Sequence, residues 1–143
     1  MYRGERIKMG KLIKIETAKT PKEIIEEIKK KAKDFNFIIR NVFDMAHEFK
    51  HHDIEVVEDF EYYSIMLCNP EKAYNSIFKS PIRGAVLLPP KQVVIYKENS
   101  KTILGYAAVE KDDVTKLLPK DTKFQEGLSE SCKNIIKLLE SVK

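Results

Sequence analysis

The sequence predicts an α+β fold: a mostly antiparallel sheet with helices packed on one face. Three observations lead there. Runs rich in β-branched and aromatic residues recur between Lys11 and Val109. Two helix-start signatures interrupt those runs, each with a capping residue followed by proline. The last apolar runs are joined by a tight turn, which makes sequence neighbours antiparallel partners.

The first run, Lys11 to Thr17, sets Ile13 and Ile15 opposite Leu12, Lys14 and Glu16. Alternation of this kind marks a strand with one covered face. Thr20, Pro21 and Glu23 then supply a cap, a first helical residue and a capping-box partner. Ile24, Ile25, Ile28, Ala32 and Phe35 follow as one apolar stripe, and Asn36 is a suitable stop. Phe37 to Val42 reads as a second strand and Phe60 to Cys68 as a third. The stretch between them, Phe43 to Asp59, fits either a short helix or an irregular loop.

Asn69, Pro70 and Glu71 repeat the helix-start logic, with Ala73, Tyr74, Ile77 and Phe78 as the apolar face. Gly84 to Leu88 and Gln92 to Lys97 read as short strands separated by Pro89-Pro90. Two prolines forbid a regular central ladder there, so a bulge, kink or exposed edge is expected. Asn99-Ser100 turns the chain into a last strand, Lys101 to Val109. A short helical piece fits Lys111 to Leu118, with Asp112-Asp113 as its cap. Asp121 or Thr122 can then cap a final helix. Its face carries Phe124, Leu128, Cys132, Ile135, Leu139 and Val142.

The chain has 143 residues, 43% hydrophobic and 34% charged, which suits a single domain with a highly charged surface. No apolar run is long enough to span a bilayer. Met1 to Gly10 has no apolar segment of the secretory kind, so the cytoplasm is the expected compartment. Cys68 and Cys132 are too few for a disulfide framework and lack metal-ligand spacing. Heavy use of Lys, Glu and Ile matches the bias reported for thermophiles. The net charge is +4, with basic residues spread along the chain and an all-acidic stretch of charges between residues 51 and 70. Nucleic-acid binders more often gather their basic residues, so nucleic acid is not an expected partner, and neither is a membrane.

The run from Ile65 to Tyr96, IMLCNPEKAYNSIFKSPIRGAVLLPPKQVVIY, resembles the signature of the domain-of-unknown-function 302 family. Cys68-Asn69-Pro70 matches a strand ending in that tripeptide, Ala73 a small residue of the following helix, and Leu88-Pro89 a later break. The resemblance implies a two-layer sandwich and a homodimer, over about residues 11 to 110. Residues 119–143 then look like a helical appendix to this single domain. Where members often carry a second cysteine after Leu-Pro, this chain has Pro90, which lowers the case for a dithiol reaction at these positions.

Three readings of function follow. In the first, the chain is a homodimeric domain that holds a small ligand or partner near Cys68, Asn69, Pro70, Pro89 and Pro90. Both breaks fall at ends of strands able to pair, so they are expected to be neighbours at one sheet edge. In the second, Cys68 is a single reactive thiol, placed before a helix start that favours thiolate. As a small apolar residue it also closes a strand without any chemistry. In the third, a metal sits at His47, His51 and His52. His47-Glu48-Phe49-Lys50-His51 has the two-histidine spacing of zinc metalloproteases, but charged Lys50 and the acidic run that follows do not fit such a helix. There is no glycine-rich phosphate loop and no nucleophile elbow. The sequence names no cofactor and no substrate.

Overall fold

A computed structural model describes residues 10–143. Met1 to Met9, which bear on the expected absence of a secretory signal, lie outside the described residues. Five strands form one antiparallel sheet: β1 (Lys11–Thr17), β2 (Ile38–Asp44), β3 (Tyr62–Cys68), β4 (Gln92–Glu98) and β5 (Lys101–Ala108). Their order across the sheet is β1-β5-β4-β3-β2. From β2 onward each strand pairs with its successor, while β1 closes onto β5 with Lys11 opposite Ala108 and Thr17 opposite Thr102. The turn between β4 and β5 places both Asn99 (φ 51°) and Ser100 (φ 68°) in the left-handed region, as a two-residue hairpin loop requires.

One face of the sheet is covered. Ile15, Leu104, Tyr106, Val93, Ile95, Ile65 and Leu67 point to it, all buried. Against them lie α1 (Pro21–Lys31) and the last helix, α6 (Thr122–Val142). Helix α1 starts as expected: Thr20 accepts from the Glu23 amide at 3.1 Å, and the Glu23 carboxylate accepts from the Thr20 amide at 2.9 Å. A 3-10 turn prolongs it to Phe35, and Asn36 ends it at φ 65°. The apolar face of α6 buries Phe124, Leu128, Cys132, Ile135, Leu139 and Val142 in the same core as the sheet. Asp121 caps its start by accepting from the Phe124 amide at 3.3 Å. At its end, Lys31 donates to the Ser141 carbonyl at 2.8 Å and Lys19 to the Val142 carbonyl at 2.9 Å. These two cations satisfy carbonyls that a helix end leaves without partners. The final helix therefore packs on its own sheet.

Two local expectations are corrected, and one left open is resolved. Gly84 to Leu88 forms no strand. Gly84–Leu87 is a short helix, α4, between 3-10 turns at Pro81–Arg83 and Pro89–Lys91. Prolines at the first positions of both 3-10 turns fix helical φ values, and Pro89-Pro90 has no N–H to offer a ladder. Its apolar run, strand-like in composition, serves instead to bury Leu87. The ambiguous stretch after Phe43 continues β2 to Asp44, which caps helix α2 (Met45–His51) by accepting from the His47 amide at 3.1 Å. The cap of α5 (Lys111–Leu117) is Glu110, with Asp113 answering it by accepting from the Glu110 amide at 2.8 Å.

Helix α3 (Pro70–Lys79) buries none of its residues fully. It roofs a hollow at one end of the sheet.

Candidate functional site

The hollow is a cavity of about 800 Å³. Its floor is the end of β3, from Met66 to Cys68, with Asn69 just beyond it and Arg40 and Asn41 of β2. Its roof is α3, and its far walls are α4 and the first turns of α6. Strand β2 bulges here. Ile39 pairs with Leu67 and Asn41 with Met66, leaving Arg40 as the extra residue. A bulge re-aims side chains, and both Arg40 and Asn41 line the cavity.

Uncharged polar side chains such as Asn41, Asn75 and Ser131 share the lining with two larger groups. Leu67, Ile77, Leu87, Leu88, Phe124 and Leu128 are apolar. Arg40, Lys72, Lys79, Arg83, Lys91 and Lys123 are six cations, and no carboxylate lines the cavity among the described residues. Among the described residues, Arg83 alone of the six has a carboxylate ion-pair partner. Its Nε and Nη2 donate to Asp121 at 2.7 Å each, and Nη1 donates to the Ser76 carbonyl at 3.1 Å. That fork ties the end of α3 to the start of α6 and braces the wall. The hydrogen bonds from Arg83 hold the Asp121 carboxyl below its usual range, and Asp121 raises the Arg83 guanidinium.

Lys91 is the unusual member. It is only 6% exposed, at the end of the Pro89–Lys91 turn. Its Nζ donates to Ser131 Oγ on α6 and lies 5.5 Å from the Phe37 ring centroid. The turn that carries it is held to the sheet, because the Tyr106 hydroxyl donates to the Pro90 carbonyl at 2.6 Å. Burial pushes the Lys91 ammonium below its usual range; the charges that Cys132 and Cys68 could carry pull it back, and Lys72 adds to the lowering. A buried cation without a carboxylate costs several kcal/mol to desolvate, so its position calls for a compensating group.

The sequence-predicted residues divide. Cys68, half-buried, lies in the cavity wall with Asn69. Asn69 also caps α3, accepting from the Lys72 amide at 3.2 Å. Pro70 is exposed as the first residue of α3. Pro89 and Pro90 do not line the cavity, but Leu88 and Lys91 on either side of them do. Met66 pairs with Gln92, which brings the Pro89-Pro90 turn to the Cys68 end of the sheet. The two breaks thus share an end of the sheet between interior strands, not an edge. Cys132 is buried on α6, and both cysteines are free.

The histidines are elsewhere, beyond the opposite ends of β2 and β3, where Asp44 faces Tyr63. His47 and His51 lie on α2, and His52 follows. All three are exposed. Glu48 sits 3.5 Å from His52 Nε2. Among the described residues, no group of three His, Cys, Asp or Glu side chains is placed to hold a metal ion. Three tyrosines take separate places. Tyr62 stacks between Phe60 and Tyr96, at 5.9 and 5.1 Å, while Tyr74 is exposed on α3 against Phe78.

Sequence reasoning missed Arg40, Lys72, Lys79, Arg83, Lys91, Lys123 and Ser131. The basic residues are scattered over some eighty positions, and only the bulge in β2 and the docking of α6 bring them together. The one local hint was a lysine directly after two prolines, where the chain is stiff.

Comparison with known proteins agrees with this architecture. A crystal structure of an uncharacterised conserved DUF302 protein from Bacillus stearothermophilus superposes with a TM-score of 0.75 at 17% identity, covering 92% of this chain and 98% of that one. At that identity the likeness shows the fold. No curated protein matches the sequence. The family described as domain of unknown function DUF302 matches residues 13–142, a span that includes the last helix. The chain belongs to the DUF302 family.

Proposed function

We propose that this domain binds a small anionic molecule with an apolar portion in the cavity beneath α3. The observation that carries the reading is the lining: among the described residues, six cations, no carboxylate, and apolar side chains between them. Like charges gathered around one hollow repel until an anion enters, and they focus a positive potential that draws one in. A volume of about 800 Å³ is in the range of small-molecule sites. Lys91, Lys72 and Arg40 would take the charged end, and Leu87, Leu88, Phe124 and Leu128 the apolar one.

Titration calorimetry with decanoate, decyl phosphate, decanol and decylammonium tests this. The two anions bind and weaken with added salt, while the alcohol and the cation do not. Replacement of Arg40, Lys72 and Lys123 together by glutamine abolishes the difference. Decanol binding as tightly as decanoate would remove the charge from the reading.

The homodimer implied by the family resemblance belongs to the same proposal. Tyr74 and Phe78 stack at 5.7 Å on the outer face of α3 and are 66% and 72% exposed, a surface that a second copy would cover. Native mass spectrometry at neutral pH reads the subunit number directly. A cytoplasmic setting, with both thiols reduced, completes the proposal; among the described residues no helix is long and apolar enough to cross a membrane.

A further inference from the structure

We infer that Lys91 is the nucleophile of the cavity: its amine condenses with the carbonyl carbon of an anionic aldehyde or ketone to form an imine. This deepens the proposed binding of anions, on which it rests for the grip on the substrate's charged end.

The placement of Lys91 sets it apart from the other cavity cations. It lies in the cavity wall yet is only 6% exposed, with its Nζ held on Ser131 Oγ, another residue of that wall. Lys72, Lys79 and Lys123 are exposed, and an arginine keeps its charge in a protein. Its position is also fixed. The backbone comes from a turn with two prolines, pinned through the Pro90 carbonyl by Tyr106, and the Lys91 amide donates to Leu88 at 3.1 Å. The Phe37 ring lies beside the ammonium group. A nucleophile held in one position avoids the entropy of finding its target. Burial lowers the pKa of Lys91, which raises the share of free amine near neutrality, the property that amine nucleophiles need.

The step balances with groups present in the site. The nitrogen lone pair forms a bond to the carbonyl carbon while the π pair moves to the oxygen. One nitrogen proton passes to that oxygen, with Ser131 Oγ, the hydrogen-bond partner of Nζ, as its relay. The carbinolamine hydroxyl then leaves as water with the second nitrogen proton, and the C=N bond forms. No electrons are gained or lost. The remaining cations hold the carboxylate or phosphate of the substrate.

Pyridoxal 5′-phosphate, an aldehyde that carries a phosphate, is the probe. The full chain is mixed with one equivalent, reduced with borohydride and digested, and the labelled peptides are quantified. The expected result is a reduced adduct on Lys91 at least tenfold above any other lysine. Wild-type protein suffices for this readout, so no variant need fold. Binding of 4-deoxypyridoxine 5′-phosphate, which lacks the aldehyde, is measured beside it by calorimetry. Binding of that analogue with no adduct on Lys91 overturns the imine and leaves anion binding standing. Adducts spread evenly over exposed lysines also overturn it. An adduct on Lys91 without analogue binding supports the imine and removes the anion-binding reading. Lys91→Arg, which has no amine able to condense with a carbonyl, should lose the adduct.

Discussion

Asp121 joins two jobs that substitution can separate. Its Oδ1 caps α6 through the Phe124 amide at 3.3 Å, and both oxygens accept from Arg83 at 2.7 Å. The side chains are 14% (Arg83) and 20% (Asp121) exposed, and the guanidinium lies 5.3 Å from the Phe124 ring. Loss of an N-cap costs about 1 kcal/mol. Loss of a forked, charge-assisted pair costs roughly 2 kcal/mol at this partial exposure. Asp121→Ala is thus expected to cost about 3 kcal/mol. Asp121→Asn keeps the cap oxygen and one neutral acceptor, so about half of that cost is expected. Urea unfolding at pH 7 measures both, read from midpoints at a shared m-value.

The dependence on pH has a definite sign. Arg83 lowers the folded pKa of Asp121, so the native state binds that proton more weakly than the unfolded chain does. The stabilisation is present above the unfolded carboxyl pKa of about 3.9 and is lost as pH falls through the lower folded value. The gap between wild type and Asp121→Asn should close in that acid window. An Asp121→Ala cost near 1 kcal/mol, with a gap indifferent to acid, would show that the fork contributes nothing beyond the cap.

Further outcomes follow from other parts of the molecule. Iodoacetamide should modify Cys68, which lines the cavity, well before Cys132, which is 1% exposed, and decanoate should slow the Cys68 reaction; peptide mapping over time reads both, and equal rates would place Cys68 away from the ligand. Burial, with the charges of Glu61 and Asp44, pushes the Tyr63 phenol up to about 12. Its contribution to stability is present below the unfolded value of about 10 and is lost as pH rises through the folded one, so Tyr63→Phe should flatten the alkaline fall in urea midpoint. Gly105→Ala should cost roughly 1–3 kcal/mol, because the new Cβ would meet Val94 Cγ2 at 2.9 Å and a valine in a strand has little room to turn. Val94→Ala in the same chain should restore most of the loss in thermal unfolding.

The legible parts of this fold were those specified locally. Thr20, Pro21 and Glu23 lie within one turn of each other, and the capping box they predict is formed. Asn99-Ser100 sets its own hairpin. Gly84 to Leu88 was misread because a buried apolar run looks alike in a strand and in a short helix, and the choice is made by what covers it. The site was legible only in part. Cys68, Asn69 and the double-proline turn mark the end of the sheet where the cavity lies, since each breaks a pattern. The cations around them follow the ordinary rhythm of a charged surface: Lys72 and Lys79 sit on a helix, and Arg40 inside a strand. Lys91 is marked only by the two prolines before it, as its burial comes from α6, forty residues later.

The pairing of β1 with β5 also sets a schedule for a chain that emerges from its N-terminus. Strands β2 to β5 can zip in order, each finding its partner as soon as it appears. Strand β1 emerges first and docks last, because Thr17 must wait for Thr102. At roughly 5–20 residues per second during synthesis, that interval is on the order of ten seconds. A waiting strand with open hydrogen-bond groups invites pairing with other nascent chains. Lys11, Lys14 and Glu16 place charge along it in that interval, so the polar half of its alternation protects the newborn chain before it ever faces solvent in the finished one.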